Sequence, residues 1–227
     1  MKYSQKAAWI IEAMVVLLLL TVWVTGVYSI LVSSQKLSQS TSYRIEAIQI
    51  ARDSLEAMTN IRDTNWVEFW GDVRNCWNTW NYDRDSTPSC IWDDSWDSQR
   101  ISHTANQSFI LYRDEVTWKF ELERRSRNPN NFSELDYRDN FRVYYDDNWF
   151  YTQSWSLSLP DENLLSREYT REIRIDYLNE NFQSQWSTAV SNPAMDITVL
   201  VQWADPAVTE NRSLEMTTRL TNWRDRN

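Results

Sequence analysis

Glycine is almost missing from this chain of 227 residues: only Gly26 and Gly71 are present, where an average share of about 7% would give roughly 16. Glycine supplies positive φ at turns and helix ends without steric cost, so its scarcity conflicts with any fold that needs many tight turns. Histidine is reduced to His103 and cysteine to Cys76 and Cys90. These three donors fall short of the four nitrogen or sulfur ligands of a structural zinc site, and the expected fate of the two cysteines is a disulfide. His103, in "RISHTANQS", has no pattern around it that pairs it with a nucleophile and is expected to be a solvated loop residue. Basic residues are also short, with 23 Lys and Arg against 32 Asp and Glu. Counterion release from a phosphate backbone is then no driving force, and no nucleic-acid partner is expected.

Charge is missing from one stretch in particular. Residues 7 to 32 carry a single charged side chain, Glu12, and the twenty residues from Ala13 to Val32 carry none. A helix of that length is about what crosses a hydrocarbon core of ~30 Å. The preceding "MKYSQKA" contributes Lys2 and Lys6, which by the positive-inside rule keep the N-terminus cytoplasmic and send the rest outward, into a compartment where disulfides persist. A cleaved secretory signal fits less well, its apolar region being only ~7–15 residues long.

After the span, Ile45, Ile48, Ala51, Leu55 and Met58 recur every three or four residues, the period of one helix face. No proline precedes Pro88. One helix is expected to continue out of the membrane, half facing lipid and half packed on a head. The alternative is two helices joined near "VSSQKLSQSTS", where serine and threonine weaken helix propensity. Asn60 to Trp66 reads as the helix end, with a turn at Asp63 to Asn65 and Trp66 capping the core where helix gives way to sheet.

Farther on, the period becomes two. "SFILYR" at 108, "VTWKFELE" at 116, "FRVYY" at 141, "YTREIRIDYL" at 169, "DITVLVQW" at 196 and "LEMTTRLTNW" at 214 are rich in β-branched and aromatic residues. They predict antiparallel strands with one face on the helix. The polar connections "YDRDSTPSC", "RRSRNPNNFSELDYRDN" and "SLSLPDENLLS" predict loops. The fold class is α+β, a long N-terminal transmembrane helix packed on an antiparallel β-sheet head.

A carboxylate within a bilayer costs a few kcal/mol unless it is paired, so Glu12 needs a cation. The stretch "AAWIIEAMVVLLLLTVWV", behind its short basic leader, resembles the N-terminus of type IV prepilins and pseudopilins: a small residue, then Glu at the fifth position of the mature chain, then an apolar run. The resemblance implies cleavage between Ala7 and Ala8 by a membrane-embedded prepilin peptidase that also methylates the new amine. It also implies the missing cation, the Ala8 amine of the same or a neighbouring subunit, whose pairing with Glu12 sets the register of assembly. Where this chain has Ala7 and Ala8, the family usually has Gly and Phe.

In the head, "ARDSLEAMTNIRDTNW", "VLVQWAD" and "TRLTNWRD" are similar to pilin-like proteins of uncultivated bacterial lineages. The division implied is a leader at 1–7, a transmembrane and assembly half of the helix at 8–33, an amphipathic half at 34–64 and a β-rich extracellular head at 65–227. The implied partners are other pilin subunits, prepilin peptidase, the inner-membrane assembly machinery and, before assembly, membrane lipid. The protein is expected to be structural and not an enzyme, with no cofactor, first in the cytoplasmic membrane and then in an extracellular pilus.

Other chemistry has weaker support. The acidic clusters "DRD" at 83 and "DDSWD" at 93 offer oxygen ligands without the twelve-residue spacing and terminal Glu of a calcium loop, and solvated loops are expected. A Cys76–Cys90 bridge closes a loop of roughly 15 residues, worth about 3 kcal/mol in the chain-entropy model. Tryptophan, in contrast to glycine, is in excess at 14. One reading is an adhesin or lectin-like protein whose loop "NCWNTWNYD" stacks Trp77 and Trp80 on sugars. The other joins the excess to the shortage: several tryptophans stand where the organism inserts glycine, at a reassigned stop codon translated here as tryptophan. Trp23, Trp96, Trp118, Trp149 and Trp155 suit it best, the "DDNW" at 146 standing where Asn-Gly is the usual hairpin signal. Trp66, Trp203 and Trp223 suit it least.

Overall fold

The computed structural model describes residues 3–70, 73–78, 107–113, 119–126, 132–145, 151–153, 168–178, 184–185, 194–205 and 210–222. Helix α1 runs unbroken over Tyr3–Glu68, 66 residues, or about 100 Å at ~1.5 Å per residue. No proline interrupts it, and the serines and threonines do not break it. Ser33 Oγ donates to the Ser29 carbonyl (2.9 Å) and Thr41 Oγ1 to the Leu37 carbonyl (2.8 Å), so hydroxyls that compete with a helix elsewhere are absorbed by its own backbone. The "VSSQKLSQSTS" segment is therefore helical throughout.

The turn expected at Asp63 to Asn65 is instead the last part of α1. Asn65 and Trp66 face the head and are buried, and the ladder continues until the Phe69 N–H reaches the Asn65 carbonyl at 2.9 Å. Tertiary burial overrides the local turn preference of Asp and Asn here. A short helix α2, Val73–Cys76, follows.

The head is a sheet in the order β2-β1-β5-β7-β8, with β1 at Gln107–Arg113, β2 at Phe120–Ser126, β5 at Tyr169–Leu178, β7 at Ala194–Asp205 and β8 at Glu210–Thr221. Neighbours are antiparallel along the whole path. The short β6, Ser184–Gln185, pairs with the end of β5. Alternation assigns the two faces. Tyr169, Ile173, Ile175 and Tyr177 of β5 and Ile197, Val199, Val201 and Trp203 of β7 share one buried cluster with Ala47, Ile50, Ala51, Met58 and Ile61 of α1. Each fully buried aliphatic side chain of this kind stabilises the fold by about 1.5–3 kcal/mol.

Two expectations are corrected on the opposite face. The segment "RRSRNPNNFSELDYRDN" is not simply a loop: Arg124 to Ser126 extend β2, and Leu135–Phe141 form helix α3. "FRVYY" is accordingly not one strand. Phe141 ends α3, Arg142 bridges to Thr170, and only Tyr144–Tyr145 form a strand, β3, paired with β4 at Tyr151–Thr152. Tyr137 and Phe141 lie four apart on one helical face, with ring centroids 4.8 Å apart. With Phe132 they bury Ile110 on the outer side of β1, and that burial outweighs the polar composition of the segment.

Candidate functional site

The candidate site is α1 itself, which divides into two environments. From Trp9 to Leu31 its large apolar side chains are between 52% and 76% exposed, and nothing among the described residues covers them. The helix is long and apolar enough to cross a membrane. Thr21 and Thr25 turn their hydroxyls onto the carbonyls of Leu18 and Thr21 at 2.8 and 2.9 Å, which satisfies them where no water would be present. Glu12 is exposed on this apolar surface. Ala7 and Ala8 fall inside the same helix, in its first two turns.

From Ser40 onward the head grips the helix along its length. Ser40 Oγ donates to Asp205 Oδ2 at 2.7 Å, at the end of β7. One turn on, the Tyr169 hydroxyl donates towards Glu46 Oε2 (3.0 Å), with the Tyr43 carbonyl at 3.2 Å. The Tyr169 ring stands 6.5 Å from that of Tyr43 and 6.3 Å from that of Trp203. At the far end Trp66 Nε1 donates to Asn222 Oδ1 (3.3 Å), Asn65 Nδ2 donates to the Trp77 carbonyl (3.0 Å), and Glu68 pairs with Lys119.

The middle of the grip is a polar clamp. Arg171, on the helix-facing side of β5, is fully buried. Its Nη2 donates to the Leu111 carbonyl (2.7 Å), its Nε to Gln153 Oε1 (3.0 Å), and its Nη1 reaches Asp53 Oδ2 of α1 at 3.4 Å. Gln153 completes the clamp by donating its amide to the carbonyls of Phe141 and Arg171, both at 2.8 Å. Burial pulls the Arg171 guanidinium down to about 10, with Asp53 acting against that fall. Burial also raises the Asp53 carboxyl above its ordinary range, against the lowering effect of Arg171.

On the opposite face Glu172 has the reverse balance. Burial alone would raise its carboxyl. Hydrogen bonds from Arg174 (2.8 and 3.0 Å), Ser108 and Tyr137 (2.7 Å), with the Arg174 charge, outweigh burial and hold it below the usual carboxylate range. Arg171, Gln153 and Glu172 were not singled out from the sequence. The available signal was register: Arg171 occupies the same face as Ile173, Ile175 and Tyr177, so the alternation that buries those residues also buries it.

The remaining expected residues separate as follows. Cys76 is fully buried and no cysteine among the described residues is a free thiol; Cys90, His103 and the acidic clusters at 83 and 93 lie outside the described residues. Trp77 is only 2% exposed and belongs to the main core. This corrects the exposed Trp77–Trp80 pair required by the sugar-binding reading, because the Trp77 side chain is part of the core that α1 shares with the sheet; Trp80 lies outside the described residues. A shallow groove runs beside Tyr151 along Ser34, Ser38, Thr41, Ile45 and Gln49 of α1, and its carboxylate, Glu46, is engaged by Tyr169.

The architecture is pilin-like, a long N-terminal apolar helix packed against an antiparallel sheet. Comparison with family models, with curated proteins and with solved structures finds no match to this chain.

Proposed function

We propose that the protein is the structural subunit of a type IV pilus or of a related pseudopilus, processed between Ala7 and Ala8 and held before assembly in the cytoplasmic membrane by a single span with its N-terminus inside. The observation that carries this reading is the division of α1. Its second half is fixed to the sheet, while its first half presents an apolar surface that the described residues leave uncovered. Lipid covers that surface in the membrane, and the same halves of neighbouring copies cover it in the filament.

In this scheme Glu12 is the one charged group carried into the apolar phase, and the amine released at Ala8 neutralises it. The pairing fixes the axial position of each incoming subunit, because any other register leaves a carboxylate unpaired in a medium that penalises it. Prepilin peptidase and the inner-membrane assembly machinery are the partners this role needs. The role is mechanical, and no residue is assigned to catalysis. Bridging of Cys76 to Cys90 belongs to the same proposal, as a staple of a head loop.

The test is Glu12→Ala, with leader cleavage and surface filaments scored separately. Cleavage with loss of filaments is the expected result. Normal filaments from the variant would remove the register mechanism, and an uncleaved wild-type protein would remove the prepilin reading.

A further inference from the structure

The tryptophans among the described residues fall into two groups with nothing between them. Trp66, Trp77 and Trp203 are 4%, 2% and 4% exposed, whereas Trp9, Trp23 and Trp70 are 76%, 75% and 81% exposed. An indole contributes to a fold through the large area that it buries, and at Trp70 that area is left in water. Trp70 was not among the positions singled out by turn context, but the structure places it at a position with its own chemistry.

Helix α1 ends at Glu68, and its last hydrogen bond runs from the Phe69 N–H to the Asn65 carbonyl. Phe69 is turned inward and buried at 8%. Trp70 is therefore the first residue past the helix cap, the position that helices most often give to glycine, because the chain there commonly adopts the left-handed conformation. Gly71 follows at once. Four residues earlier, Trp66 is held by the opposite set of features: burial in the main core, an indole N–H on Asn222 and the Arg62 guanidinium 4.5 Å above its ring.

We propose that residue 70 is glycine in the native protein, encoded by a stop codon that the source organism reads as glycine, and that Trp66 is a genuine tryptophan. Burial sorts the two classes of codon: positions that carry an indole into the core are tryptophan, and the exposed position at the helix terminus is glycine. The inference is independent of the filament reading. It removes a large exposed aromatic ring from the end of the head.

Both residues lie in one tryptic peptide, Asp63 to Arg74, bounded by Arg62 and Arg74. Tandem mass spectrometry of this peptide, from protein purified out of the source cells, reads them together. Fragment ions showing Trp at 66 and Gly at 70 are expected. Trp at both positions would overturn the reassignment, and Gly at 66 with either residue at 70 would overturn the sorting by burial.

Discussion

Replacing Asp53 by alanine is expected to cost far more than its single long hydrogen bond implies, because it leaves the Arg171 guanidinium charged, fully buried and without an anion. Even with Asp53 present, burial pulls the Arg171 guanidinium down to about 10, so the charged form is held in the interior against a desolvation cost. Arg171 therefore remains charged at neutral pH, and its charge is a net cost that Asp53 reduces. Breaking a buried pair from one side typically costs about 3–5 kcal/mol. Because Asp53 is 28% exposed, the lower part of that range is expected, about 3 kcal/mol, or roughly 6–12 °C in Tm for a domain of this size.

The double variant Asp53→Ala/Arg171→Met should recover most of the loss. It removes the cation and keeps an apolar stem, while the Leu111 carbonyl and Gln153 Oε1 retain the donors Gln153 N–H and Leu111 N–H. The assay is thermal unfolding of the full chain in detergent micelles, for the wild type, both single variants and the double, analysed as a double-mutant cycle. A harmless Asp53→Ala, or a double variant less stable than Asp53→Ala alone, would refute the account of the clamp.

Glu172→Gln should flatten the acid limb of stability. The folded carboxyl is held below its ordinary value of 4.5, so the stability it adds is complete above that value and is lost as pH falls through the lower folded one; urea midpoints between pH 3 and 7 that fall equally in the two proteins would count against this assignment. Cys76→Ser should lower stability by about 3 kcal/mol under oxidising conditions and much less in the presence of a thiol reductant, and an equal loss in both would argue against the staple. At Trp118 and Trp149, peptide mass spectrometry of the native protein should find glycine, and intact tryptophan at both would end the codon reading of the head loops.

The sequence-based expectations succeeded where one physical signal dominated. The uninterrupted apolar run and the three-to-four spacing after it specify α1, and β5 falls on "YTREIRIDYL" from first residue to last, where Ile173, Ile175 and Tyr177 alternate with charged neighbours. They failed where burial is shared between distant segments. Tyr137 and Phe141 form an amphipathic turn of helix only once Ile110 of β1 lies beneath them, and nothing local in "SELDYRDNF" announces that partner. Arg171 and Glu172 sit on opposite faces of one strand and both are buried, where composition assigns charged side chains to solvent. Trp77 looked like a loop residue because the core it fills is assembled from α1 and from strands distant in sequence, β1 and β2 as well as β5 and β7.

The most direct measurement of the central proposal is the N-terminus of the protein recovered from sheared cell-surface material. Its first residue is expected to be Ala8, with a methylated amine, and Glu12 consequently the fifth residue. Surface filaments built from chains that still begin with the Met1–Ala7 leader would contradict it.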